Sequence, residues 1–174
     1  MKLSRSIERN ARNTAVAFAL SALAFSVSAG ADEQKIPYTM TAITDASFGT
    51  HVTAGDYETA IQRISAPTYN RQASFESKTN LCVAYTKSAR IDEATAVCEA
   101  AVSRLNRMSN VEMSRTDLAI ALSNRGVLRA VKGETELARK DFQDAIELRT
   151  GLAAPSTNLA RLDSEIFAET YSAN

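Results

Sequence analysis

Three asparagines, Asn80, Asn124 and Asn158, follow one another at intervals of 44 and 34 residues. A side-chain amide both donates and accepts, so a row of amides can hold the N–H and C=O groups of an extended peptide without reading its side chains. The plainer alternative is that each amide satisfies backbone in its own neighbourhood. Cys82 and Cys98 offer a second chemistry, and their spacing is far from the two-residue gap of a thiol oxidoreductase. His51 is the single histidine, and neither a second histidine nor a cysteine cluster stands near it to complete a metal site. A structural or surface role is expected for it. Asp45 and Ser47 are close in sequence, but no nucleophile elbow surrounds the serine. The six glycines are scattered and form no phosphate-cradling loop. No catalytic residue, metal or cofactor is therefore expected, and the chain reads as a binding protein and not an enzyme.

Such residues act only if something positions them, and the composition points to helices. The 174 residues include three prolines, six glycines and no tryptophan, and Ala, Leu, Glu, Arg and Lys dominate the second half. The first 31 residues are a separate object. Lys2, Arg5, Arg9 and Arg12 precede the apolar run "TAVAFALSALAFSVSA", which ends in small residues, as a secretory signal peptide does. A membrane anchor needs about 20 predominantly apolar residues, and Ser21, Ser26 and Ser28 interrupt a run already shorter than that. Cleavage fits after Ala29 or Ala31, and periplasmic or secreted location follows. Without residues 1–31 the chain carries a net charge of −3, which gives no footprint for nucleic acid and no polybasic face for anionic lipid. Residues 32–44, with Pro37, Thr39, Thr41 and Thr44, read as an extended lead-in. Residues 45–174 read as one helical domain.

Self-comparison organises that domain. A shift of 44 places Asn80 on Asn124, Val83 on Val127, Ala94 on Ala138, Ala101 on Ala145 and Cys98 on Phe142. A shift of 78 aligns Gly55, Ala60 and Ile64 with Gly133, Ala138 and Phe142, which extends the pattern upstream, with a short first helix expected over 45–54. Phe142, Ala145 and Ile146 make one apolar stripe, with Lys140, Asp141, Asp144 and Glu147 assigned to the opposite face. Gly126 and Ala138 are small where the two helices of a hairpin must approach. The ten residues by which 44 exceeds 34 are most simply 109–118, as a loop or as a longer helix. With an elbow near Ala89 to Ile91, Cys82 and Cys98 each lie about two turns from it, so antiparallel packing brings them level. In an oxidising compartment a disulfide is expected, the alternative being two small core thiols.

The stretch "SNRGVLRAVKGETELARKDFQDAIEL" resembles the tetratricopeptide repeat, a helix-turn-helix unit of about 34 residues. Leu122, Gly126, Gly133, Ala138, Phe142, Ala145 and Ile146 carry the resemblance, and Leu81, Cys82, Tyr85, Ala94 and Ala101 repeat it. Cys82 replaces a usual glycine, Arg129 stands where an aromatic is common, and Thr150 stands where proline often closes the unit. The resemblance implies an all-α fold, a short right-handed superhelix of about three hairpins with the last incomplete. It further implies a concave groove that binds a protein or peptide segment. Asn80, Val83, Lys87, Ser123, Asn124, Val127 and Asn158 are then the partner-binding residues. Lys87 is the one groove cation, so a clamp for a terminal carboxylate is not expected, and the partner segment should be apolar with little net charge. The competing reading is a structural protein of the cell envelope that self-associates through an exposed apolar end, as a homo-oligomer.

Overall fold

Seven helices are found among the described residues: α1 (Gly49–Thr53), α2 (Tyr57–Ile64), α3 (Phe75–Lys87), α4 (Ile91–Asn106), α5 (Glu112–Val131), α6 (Thr135–Leu148) and α7 (Ala153–Ser172). A computed structural model describes residues 36–46, 48–66, 74–107 and 112–172, the side chains of 112–114 excepted. All of these belong to one unit, Lys35–Asn174. The expected signal segment, its cleavage sites at Ala29 and Ala31, and Ser47 lie outside the described residues. The fold is all-α.

Three elbows repeat one device. Gly55, Ala89 and Gly133 take φ values of 80°, 55° and 75°, the left-handed conformation that ends a helix. At each elbow two backbone bonds recur in the same register: Gly55 to Val52 and Asp56 to His51, Ala89 to Thr86 and Arg90 to Tyr85, Gly133 to Ala130 and Glu134 to Arg129. This is the Schellman closure, which satisfies the last carbonyls of the first helix and turns the chain into the second. Two starts are capped by side chains, since Asp56 accepts from the Thr59 N–H and Ser74 from the Ser77 N–H.

Each helix packs on the one before it where they form a hairpin, and α1, α3, α5 and α7 also contact one another in turn. The pairs α1–α2, α3–α4 and α5–α6 therefore stack in chain order, with α7 as a further first helix. The extra residues between the two best repeats lengthen helices: Asn124 is preceded by twelve residues of α5, whereas Asn80 and Asn158 have five before them in α3 and α7. The upstream helix is shorter than the sequence suggested. It begins only at Gly49, because Ile43 is held elsewhere and its carbonyl comes so close that a Cβ on Gly49 would lie 2.1 Å from the oxygen.

Gly126 marks a close approach of two helices. A Cβ there would stand 2.6 Å from Phe142 Cε1 and 3.2 Å from Asp141 Cβ, so α5 and α6 meet at that point without space for a methyl group. Asp141 is not on the solvent face assigned to it above. It is 1% exposed and lies between Arg125 and Arg129, with bonds of 2.6 to 2.9 Å, while Glu99 of α4 accepts from one further nitrogen of each guanidinium at 2.7 and 2.9 Å. Burial opposes the Arg125 charge, but the bonds to Asp141 and Glu99 outweigh it and raise its pKa. A helix-periodic reading of α6 misses this because two arginines one turn apart on α5 bring the counter-charge to the interface. Arg129 is thereby one arm of an ion network across three helices. Cys82 and Cys98 form a disulfide between α3 and α4, with Cα atoms 4.9 Å apart, and both are buried.

Candidate functional site: an asparagine row with a resident extended segment

Asn80, Asn124 and Asn158 are fully buried near the middle or start of the first helices α3, α5 and α7. The three helices stand side by side, so the amides form one row. Each holds both backbone groups of one residue of the lead-in. Asn158 Oδ1 accepts from the Thr39 N–H at 2.9 Å while its Nδ2 donates to the Thr39 carbonyl at 2.7 Å. Asn124 does the same with Thr41 at 2.9 and 2.8 Å. Asn80 completes the series on Ile43 at 2.8 and 3.0 Å. The interval of two is dictated by extended backbone, in which the N–H and C=O of alternate residues point to the same side. Lys87 extends the grip towards the chain start, donating from Nζ to the carbonyls of Tyr38 at 3.0 Å and Ile36 at 3.3 Å.

Alternate side chains of the lead-in settle the other half of the contact. Tyr38, Met40 and Ala42 pack into the helices, while Thr39 is exposed. The Tyr38 ring is 6% exposed, lies among Val127, Ala138, Phe142 and Leu162, and has its centroid 6.5 Å from that of Phe142. Its hydroxyl donates to Glu165 of α7. Burial, reinforced by that carboxylate, raises the Tyr38 pKa well above its ordinary value. Beside the Tyr38 end is an open cavity of about 570 Å³, lined by Ile36, Pro37, Tyr38, Thr39, Met40, Lys87 and Arg161.

The seven residues selected from the sequence are thus partly united. Asn80, Asn124, Asn158 and Lys87 all bond the lead-in backbone; Val127 packs with Tyr38, and Val83 belongs to the cluster against which Met40 and Ala42 pack. Ser123 is buried with no hydrogen-bond partner for its hydroxyl. The backbone that the row holds is the chain's own, as the plainer reading of the asparagines has it. Sequence reasoning missed Tyr38 and Glu165, 127 residues apart, and the alternation Tyr38, Met40, Ala42 was the signal available.

The other candidates stay apart from the row. His51 is half exposed in α1, with Nδ1 3.0 Å from Asp56 Oδ2. The bond from Thr59, with that from His51, holds the exposed Asp56 carboxyl below its usual range. No group of three metal-ligating side chains occurs among the described residues. No described helix is long and apolar enough to cross a membrane. No family model matches the chain, and no curated protein and no solved structure matches it.

Proposed function

We propose that this chain is an exported, non-catalytic adaptor of the tetratricopeptide type, whose groove binds an extended segment of another protein through the asparagine row. The observation that carries the reading is the paired donation and acceptance by Asn80, Asn124 and Asn158 on every second residue of the extended lead-in. Six such bonds specify backbone in extended form and leave sequence choice to the side chains between them. A concave superhelix fits the spacing. Alternate residues of a strand are about 6.7 Å apart, whereas packed helix axes are about 8–10 Å apart, so the amides converge as they do on the inside of a curve.

The resident lead-in defines the mode of action. A partner segment binds by replacing residues 36–43, which compete from an effective concentration on the order of millimolar because they are tethered. Thr41→Pro tests this in the full chain. It removes the N–H that Asn124 accepts, so the lead-in loosens while the row remains. Capture of partners from an envelope extract should rise in Thr41→Pro and fall again when Asn124→Ala is added. Equal capture by all three chains would end the proposal.

A second reading, self-association, is favoured by one observation. Phe167 and Tyr171 on α7 are 62% and 67% exposed, with ring centroids 4.2 Å apart. Light scattering decides it: a monomer at micromolar concentration, unchanged in Phe167→Ser with Tyr171→Ser, rules it out.

A further inference from the structure

The asparagine row reads no side chain, so any selectivity must come from the positions between its bonds, and one of those positions is built to do so. Tyr38 occupies a site with an apolar wall, Val127, Phe142 and Leu162, and a polar end, Glu165, which accepts a hydrogen bond from the hydroxyl. Met40, two residues on, packs against two apolar clusters, and Ala42 packs against one of them. The sequence of environments is an aromatic slot with an acceptor, then a site between two apolar clusters that the long Met40 side chain fills. The cavity beside Ile36 and Tyr38 leaves the aromatic end of the lead-in open, which gives an incoming segment its entry.

We infer that the groove selects its partner by a tyrosine: the segment it accepts is extended and carries tyrosine, then a long unbranched apolar residue two positions later. This rests on the groove-binding reading above and adds its specificity. Glu165 is the determinant that separates tyrosine from phenylalanine. An aromatic without the hydroxyl fills the wall but forfeits the hydrogen bond to the charged, half-exposed Glu165 carboxylate.

The test uses the full chain in two forms, Thr41→Pro and Tyr38→Ala, each of which weakens the resident segment at a different point. The probe is a fluorescent synthetic peptide with the sequence of residues 35–44, capped at both ends, read by anisotropy. It should bind both variants more tightly than the original chain. Replacing its tyrosine by phenylalanine should weaken binding about tenfold, and by alanine about a hundredfold. Adding Glu165→Leu should abolish the distinction between tyrosine and phenylalanine, and Glu165→Gln, which keeps an acceptor, should preserve it. Equal binding of all three peptides overturns the inference and leaves the groove reading intact. Absence of binding by any peptide to either variant, with helical circular dichroism retained, overturns both. A dimer of the original chain that is lost in Tyr38→Ala would assign the aromatic slot to the lead-in of a second copy, and would also overturn the inference.

Discussion

Asn124→Ala removes the middle rung of the row, and its cost can be worked from the geometry. Two hydrogen bonds of 2.9 and 2.8 Å are lost, and Asn124 is fully buried. At about 1 kcal/mol net for each bond, with about 1 kcal/mol more for the half-buried Thr41 groups left without partners, the change destabilises by about 3 kcal/mol. With a urea slope of about 2 kcal/mol per molar, the unfolding midpoint followed by circular dichroism should fall by about 1.5 M. Hydrogen exchange locates the effect: the Thr41 amide should lose protection first, ahead of the helix amides of α5 and α6. Asn124→Asp gives the contrast, because it preserves shape and one acceptor but turns the donor towards the Thr41 carbonyl into a second acceptor. It should be at least as damaging as alanine. A midpoint shift below about 0.5 M with Thr41 protection unchanged would refute the premise that the row holds the lead-in in solution.

Gly126→Ala places a methyl group 2.6 Å from Phe142 Cε1 and should destabilise by about 2 kcal/mol in urea titration, although alanine is the better helix former. Reducing the Cys82–Cys98 bond, which spans 16 residues, should cost about 3 kcal/mol, measured as the midpoint difference with and without dithiothreitol. Asp117 has its pKa raised by burial and then by Glu76, so the stability that it contributes is present at low pH and is lost as pH rises through its folded value. Asp117→Asn should accordingly be more stable than the original chain at pH 7. Melting curves of the two should converge as the pH falls below 3.8, the ordinary value for the group.

Much of the helical plan was legible because its signals are local. The elbows at Gly55, Ala89 and Gly133 follow the internal alignment, and the disulfide follows from equal distance to one elbow. Ala89 is instructive: the elbow was expected there, but its positive φ, which runs against the preference of alanine, is shown only by the structure. Asp141 was misplaced for the opposite reason. Periodicity assigns a carboxylate to water unless a cation from another helix is brought to it, and Arg125 and Arg129 come from the preceding helix. The five-residue α1 was also shorter than its alignment implied, since nothing local reveals that Ile43 is fastened to Asn80.

From its order of residues alone, the chain specifies helices, their hairpin turns and three amides in matching positions, because each depends on neighbours within one or two turns or on repetition along the chain. Only the folded arrangement decides what those amides hold. Residues 39, 41 and 43 meet Asn158, Asn124 and Asn80 in reverse order, at separations of 119, 83 and 37 residues. No periodicity encodes that encounter; it arises when the stacked first helices present a row of unsatisfied donors and acceptors, and a nearby extended backbone carries the complementary set.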